Sequence, residues 1–324
     1  MAQRHTQSPA SRIENLPASI FSIVMGLTGY AIAVQKATPL GLVPTPFAQA
    51  ALWFSSIVFA ALLVAYATKL ARYMHAVVQE FAHPIKRNFI PAISISFILQ
   101  SIAYAGTSSV VAFWLLAIGA TLQFGLMLGI VRQWLWHDNI QPQHLNPAWF
   151  IPAVGNMLVP VSAMHFSYTG LSWFFFSVGF MFWIVLLAAY FYRSFFHEQL
   201  PLKLQPTQAI LIAPPAVIVI ALSKLLGNPS PLLTIAYSLS LFFLALLLTR
   251  VVSFARLPFF LSWWAYSFPL ASVTIATIVM NIYAPSPLLV AGIATLLVAL
   301  TALIGMLIYR TVRAVLARAI CVAE

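Results

Sequence analysis

Charged residues are scarce in this 324-residue chain, where Asp, Glu, Lys and Arg together make up only 6% of the sequence. Soluble domains carry roughly a quarter charged residues. The composition therefore excludes a protein whose whole surface faces water. Apolar residues make up 62% of the chain, and we predict that lipid is the solvent for most of its surface.

Acidic residues are the rarest of the charged types, and all five lie outside the long apolar segments. They are Glu14, Glu80, Asp138, Glu198 and Glu324. Proton-coupled transporters usually keep a carboxylate or histidine inside the membrane, and cation channels commonly use acidic rings or carbonyl filters. This distribution disfavours proton coupling and favours passive movement of anions. Sodium coupling through carbonyl oxygens stays open.

Cysteine is nearly missing as well, because Cys321 is the single one. An intramolecular disulfide framework and a cysteine-based metal site are therefore excluded. The sequence also lacks a glycine-rich phosphate loop, a His-Glu-x-x-His motif and paired intramembrane carboxylates. We predict no enzyme activity, no catalytic residues, no metal site and no cofactor.

Seven stretches without Asp, Glu, Lys or Arg cover most of the chain, and they predict ten membrane-spanning helices. A spanning helix needs about 20 apolar residues. The stretches 88–131, 139–192 and 257–309 are 44, 54 and 53 residues long and so hold two helices each, while the other four hold one each. The predicted helices are 16–36, 46–70, 89–104, 108–133, 149–167, 171–196, 207–224, 231–252, 259–283 and 287–312.

The organisation predicted from these helices is a single transmembrane domain. Residues 16–315 form it, and residues 1–15 and 316–324 are polar tails. The first apolar run lacks a clear small-residue cleavage site, so we interpret it as a retained helix and not as a signal peptide.

The basic residues predict the orientation in the membrane. With ten helices, fourteen of the sixteen Lys and Arg residues fall on the side of the termini, and only Lys36 and Lys224 fall on the other. Basic residues accumulate on the cytoplasmic side, so both termini are expected to be cytoplasmic in a multi-pass protein of the bacterial inner membrane. The net charge of +11 is mostly this topological signal. The lipid bilayer, and not nucleic acid, is the expected partner.

The prolines distinguish the odd-numbered helices from the even-numbered ones. Even helices carry proline only at their starts, where the missing N–H is harmless. Interior proline removes a backbone hydrogen bond and kinks a helix. We therefore predict that the odd-numbered helices are kinked and form an inner pore ring. The even-numbered helices lie outside it, each as the second member of one of five hairpins. The predicted kink positions are Pro17, Pro91, Pro152, Pro160, Pro214, Pro215 and Pro269.

Polar residues on the odd helices are candidates for lining the central path. Each hydroxyl or amide can donate a hydrogen bond to an anion, although such residues more often serve helix packing. The candidates are Ser22, Ser94, Asn156, Ser162, Ser267, Ser272 and Thr274.

Four stretches, in the same order along the chain, carry a family resemblance: LPASIFSIVMG (16–26), HPIKRNF (83–89), NPAWFIPAVGN (146–156) and WWAYSFP (263–269). They resemble the opening helix, the His-Pro loop before helix 3, the start of helix 5 and helix 9 of the tellurite-resistance/dicarboxylate transporter (TDT) family. This family contains the TehA-like proteins, which are bacterial homologues of the plant guard-cell slow anion channels.

The resemblance implies a homotrimer in which each protomer holds its own pore, gated by a phenylalanine that corresponds to Phe268. That residue lies nine positions into the predicted helix 9, which places it ~14 Å deep, near the middle of a hydrocarbon core about 30 Å thick. The chain departs from the family at Ser22, where the family often has glycine.

The leading functional hypothesis is an anion channel that passes small monovalent anions such as nitrate and chloride. A carrier or exporter of C4-dicarboxylates, sulfite or tellurite is the alternative that the resemblance also implies. A membrane scaffold without transport activity is a third hypothesis, which predicts no flux.

Overall fold

Ten helices form the body of the computed structural model, which describes residues 9–136 and 140–321 and contains no strand within these ranges. Nine spans among the described residues are long and apolar enough to cross a membrane, and the tenth helix is shorter. Arg4, Asp138 and Glu324 lie outside the described residues. The predicted all-α architecture with ten helices is confirmed. The helices are α1 (Ser22–Ala37), α2 (Thr45–Arg72), α3 (Ala92–Tyr104), α4 (Ser109–Trp136), α5 (Phe150–Ala163), α6 (Thr169–Phe196), α7 (Ala213–Leu226), α8 (Pro231–Leu248), α9 (Ser267–Tyr283) and α10 (Pro287–Leu316).

The odd-numbered helices form an inner ring. Helix α1 contacts α3, α3 contacts α5, α5 contacts α7, α7 contacts α9, and α9 returns to contact α1. Each inner helix also packs along the even-numbered helix that follows it. The five predicted hairpins and the closed ring are thus both present.

Burial separates the inner helices from the outer ones. The span that contains α5 is 94% buried and the span that contains α1 is 83% buried, whereas the spans of the outer helices are 22–33% buried. Outer helices need an apolar surface all round because one side faces the protein and the other faces lipid. The short helix α3 belongs to the inner set, since ten of its thirteen residues are buried.

A 3₁₀ segment precedes the α-helical part of each inner helix. These segments are Ala18–Phe21, Lys86–Phe89, Pro147–Trp149, Leu202–Ile212 and Leu261–Tyr266. Outer helices α2, α8 and α10 instead begin with a proline in the first turn.

The structure places the predicted kink prolines mostly at these changes of helix type, and not in the middle of α-helices. Pro17 precedes the first 3₁₀ segment, while Pro91, Pro152, Pro214, Pro215 and Pro269 fall just before or within the first turn of the α-helices that follow. The first turn of a helix has no acceptor for its N–H groups, so proline is tolerated there. Pro160 lies deeper, inside α5.

Three short helices accompany the ten: Pro9–Glu14, Met74–Ala82 and Val251–Ala255. The last of them begins within the predicted span 231–252, because α8 ends at Leu248. The first of them lies in what the sequence suggested was a plain polar tail. Met74–Ala82 is amphipathic, because Glu80 is buried while Met74 and Val78 expose more than half of their surface. Such a helix fits the boundary between lipid and water.

A buried ion pair fixes the start of the first inner helix. Lys69 Nζ lies 2.9 Å from Glu80 Oε2, and both side chains are almost completely buried. The backbone N–H of Ala18 donates to Glu80 Oε1 at 2.6 Å, and Lys69 Nζ donates to the carbonyl of Leu16 at 2.8 Å. We call these contacts the Lys69–Glu80 clamp. It ties α2 and the amphipathic helix to the residues on either side of Pro17.

Candidate anion path

The predicted gate residue lies where α9 meets α1. Phe268 is the second residue of α9 and exposes only 6% of its surface. A Cβ built on Gly29 of α1 would lie 3.4 Å from Phe268 Cδ2, and one built on Gly26 would overlap Ser267. Glycine at these positions lets the two inner helices approach closely, which brings the aromatic ring against the α1 backbone.

Two other phenylalanines occupy comparable positions, and both turn outward. Phe21 precedes α1 and packs edge-on against Tyr66 of α2, with ring centroids 5.8 Å apart. Phe150 opens α5 and packs against Tyr190 of α6 at 6.2 Å. Each therefore contacts an outer helix, whereas Phe268 contacts its inner neighbour α1.

Three of the candidate serines lie in α9 and α1, the two helices that meet at Phe268. Ser272 follows it by four residues, so it lies one turn further along the same face of α9, and its hydroxyl donates to the carbonyl of Phe268 at 2.9 Å. Ser22 precedes Gly26 of α1 by the same spacing and is half-buried. Ser267 donates to the carbonyl of Trp264 at 2.6 Å. Ser267 and Ser272 thus lie beside Phe268 on α9, and Ser22 lies one turn before Gly26, the α1 residue that packs against Ser267.

Two further candidates lie at contacts between other helices. Ser94 of α3 donates to Gln123 of the outer helix α4 at 2.7 Å, and Ser162 of α5 lies 2.5 Å from the hydroxyl of Ser101 of α3. Thr274 is hydrogen-bonded to the carbonyl of Leu270 within α9. These hydroxyls have partners in helix packing.

Asn156 marks a polar position in the middle of α5. Its side chain is 1% exposed and donates to the carbonyl of Pro152 at 2.8 Å. Pro160 lacks an N–H, so the backbone carbonyl of Asn156 receives no helical hydrogen bond from it. The order of helix contacts around the ring places α5, and with it Asn156, opposite the contact between α9 and α1.

Basic residues lie at both ends of the ring. On the side opposite the termini, Lys36 lies in the last turn of α1 and Lys224 lies in the last turn of α7. On the side of the termini, Arg87 precedes α3, is 2% exposed and donates to the carbonyl of Ala82 and to Gln133 Oε1. Burial lowers the pKa of the Arg87 guanidinium, yet arginine stays charged at neutral pH.

Sequence reasoning missed three polar side chains that organise this region. Gln123 lies on the outer helix α4 and donates to the carbonyl of Pro152 at 2.8 Å while accepting from Ser94. Gln100 of α3 donates to Thr28 of α1 at 3.0 Å. Glu80 forms the clamp described above. A search for glutamine in all the apolar segments, on even-numbered as well as odd-numbered helices, would have found Gln123 and Gln100.

Metal-binding clusters were not expected from the sequence. Within residues 9–136 and 140–321, no group of three or more His, Cys, Asp or Glu side chains is placed to hold a metal ion.

A closed ring of five buried helices within five lipid-facing ones, with cations at both ends, defines a polytopic membrane transport protein. Comparison with known families makes this assignment specific. The model of the SLAC1 family, described as voltage-dependent anion channel, matches residues 15–312. The chain belongs to this family and is an anion channel or transporter, which confirms the resemblance seen in the four sequence stretches.

Individual relatives come from archaea, bacteria and plants. An uncharacterized transporter of Methanocaldococcus jannaschii is 25% identical over 80% of this chain and 83% of its own length. The S-type anion channel SLAH2 of Arabidopsis thaliana is 31% identical over 70% of this chain, which spans less than half (44%) of that longer protein. The tellurite resistance protein TehA homolog of Haemophilus influenzae is 27% identical over 80% of this chain and 79% of its own length.

Proposed function

We propose that the protein is a passive channel for small monovalent anions such as nitrate and chloride, and that Phe268 is its gate. The observation that carries the proposal is the orientation of three phenylalanines. Phe21 and Phe150 pack outward on tyrosines of the outer helices, whereas Phe268 packs against Gly29 of the neighbouring inner helix α1. An aromatic ring at a narrow point closes a pore by steric block and by dewetting.

The path in this proposal is polar but uncharged. Ser22 and the second N–H of the Asn156 carboxamide offer hydrogen-bond donors to an anion, and Ser272 offers its O–H when it releases the carbonyl of Phe268. Ser94, Ser162, Ser267 and Thr274 support the helices around the path. Lys36 and Lys224 are the cations of the inner helices at the end opposite the termini, and they attract anions to the entrance of the path. With no carboxylate between the two ends, cations meet no favourable site along the way.

The proposed setting follows the basic residues. Both termini are cytoplasmic, the membrane is the bacterial inner membrane, and the protein is a homotrimer in which each protomer conducts separately. The positive-inside distribution supports the orientation, and the family resemblance supports the trimer.

Planar-bilayer recordings test the proposal with a matched pair of variants. Phe268→Ala is expected to raise the anion current severalfold over wild type. Phe150→Ala removes a phenyl group that is also buried, at the first residue of α5. That side chain packs against Tyr190 of the outer helix α6, so the current is expected to stay at the wild-type level. Equal currents from both variants would mean that Phe268 is an ordinary packing residue and not a gate.

A carrier is the competing function, because the relatives include a protein named for tellurite resistance. It predicts saturable uptake into liposomes that is stimulated by substrate on the opposite side. If such uptake occurs while neither wild type nor Phe268→Ala conducts current, the protein is a carrier of C4-dicarboxylates, sulfite or tellurite and not a channel.

A further inference from the structure

A polar cavity of about 170 Å³ lies away from the ring, on the side of the membrane where the termini lie. Its walls come from the end of α6, the connection that follows it, the 3₁₀ segment Leu202–Ile212 and Arg250, which lies two residues after the end of α8. The side chains that matter are Arg193, Glu198, Gln205, Gln208 and Arg250. The 3₁₀ segment leads directly into the inner helix α7. The cavity therefore lies beside the segment that precedes this helix, and it is separate from the proposed anion path.

Arg193 is the reason to look for a ligand here. Its side chain is only 4% exposed, and its Nε atom has no hydrogen-bond partner among the described residues. The other deeply buried cations differ: Lys69 is paired with Glu80, and Arg87 donates to two carbonyls and a glutamine. A buried guanidinium with an unused donor is unfavourable unless an anion completes its surroundings.

The remaining lining adds donors and one acceptor. Arg250 is exposed and lies 5.8 Å over the ring of Phe254, which leaves its N–H groups available. Gln205 donates to the carbonyl of Leu200 at 3.3 Å, so it is already held in place. Glu198 contributes one carboxylate, and the ion pairs within the described ranges, Lys69–Glu80 and His75–Glu14, do not include it.

We propose that this cavity binds a phosphate group that retains a proton. Two guanidinium groups match the oxygens of a tetrahedral oxyanion, which arginine recognises through parallel N–H donors. Glu198 selects among oxyanions: hydrogen phosphate can donate its proton to the carboxylate, whereas sulfate has no proton at neutral pH and is repelled. The volume accommodates a small oxyanion with bound water, since a water molecule occupies about 30 Å³. The occupant is free phosphate or the phosphomonoester headgroup of a lipid.

Equilibrium binding of inorganic phosphate to the full-length protein in phosphatidylcholine nanodiscs is the test. Wild type is expected to bind phosphate saturably and several-fold more tightly than sulfate. Arg193→Gln and Arg250→Gln should each weaken phosphate binding at least tenfold. The matched control is Arg313→Gln, because Arg313 also lies 5.8 Å over an aromatic ring, that of Tyr309, but does not line the cavity; it should stay within twofold of wild type.

Two further variants separate the explanations. Glu198→Gln should remove the preference for phosphate over sulfate. Adding phosphatidic acid to the nanodiscs distinguishes the sources, since competition with inorganic phosphate identifies the lipid headgroup as an occupant. Arg250→Gln changes an exposed residue, so it keeps the test valid if Arg193→Gln does not fold.

The proposal fails if wild type shows no saturable phosphate binding. It also fails if both arginine variants bind like wild type, or if sulfate binds as tightly as phosphate to wild type. None of these readouts requires ion conduction. The phosphate site is therefore tested independently of the proposed channel function.

Discussion

Replacing Glu80 by glutamine is expected to destabilise the protein strongly. The substitution leaves Lys69 as a buried charge without its partner at 2.9 Å and weakens the acceptor for the Ala18 N–H. Breaking a buried pair by removing one partner costs about 3–5 kcal/mol. At roughly 2 °C per kcal/mol for a large chain, the Tm should fall by roughly 6–10 °C.

Thermal unfolding of the purified protein, followed by tryptophan fluorescence, measures this effect. Glu14→Gln is the control, because Glu14 pairs with His75 at the same 2.9 Å but with side chains 35% and 62% exposed. An exposed pair contributes about 0–1 kcal/mol, so this variant should unfold near the wild-type temperature. The double variant Lys69→Met/Glu80→Gln removes both charges and should recover much of the lost stability.

The outcome that refutes this reasoning is a Glu80→Gln variant that unfolds within a degree of wild type, or one no more affected than Glu14→Gln. Either result would mean that water reaches the Lys69–Glu80 clamp. The clamp would then not hold the start of the first inner helix.

Three further predictions concern the ring. Neutralising Lys36 and Lys224 together should reduce anion current severalfold at 10 mM salt and much less at 1 M, because the Debye length falls from about 30 Å to about 3 Å; an equal reduction at both salt concentrations would count against attraction at the entrance. Gly26→Ala places a methyl group against Ser267 and should lower the yield of folded protein, whereas Gly292→Ala meets open space and should not; similar yields would show that α1 and α9 move apart easily. The uncharged path should pass nitrate more readily than chloride, since weakly hydrated anions lose water at lower cost; bi-ionic potentials that give equal permeabilities would contradict this.

Much of the fold could be predicted from the sequence because the membrane restricts it severely. In lipid every backbone group must be satisfied internally, so charge-free segments of sufficient length become helices. Outer helices α2, α4 and α6 begin and end within about three residues of their predicted limits. The proline pattern also indicated correctly which helices are inside.

The local structure of the inner helices was not predictable in the same way. Proline signals a break in the α-helix, but it does not say whether the chain kinks or changes to a 3₁₀ helix, as it does before Ala213 and Ser267. That choice depends on packing against neighbouring helices. The amphipathic helix Met74–Ala82 is too short for a spanning segment, so hydropathy alone assigned it to a loop.

Residue types at the candidate site could be predicted from the sequence, but the contacts between those residues could not. Phe268 followed from the family resemblance and its depth in the membrane, but its contact with Gly29 required the three-dimensional arrangement. Hydroxyl residues on the inner helices were found by residue type alone, and residue type does not tell that Ser94 bonds to Gln123 while Ser272 shares a face with Phe268. Long-range partners such as Lys69 and Glu80 leave no periodic signal in one sequence.

An anion channel gated by Phe268 can be tested by the reversal potential of the Phe268→Ala current in a tenfold gradient of KCl, where both ions could permeate. We expect a current severalfold larger than that of wild type or Phe150→Ala, which reverses near the chloride equilibrium potential of about 59 mV. A current that reverses near zero, or no current beside saturable substrate exchange, would contradict an anion channel gated by Phe268.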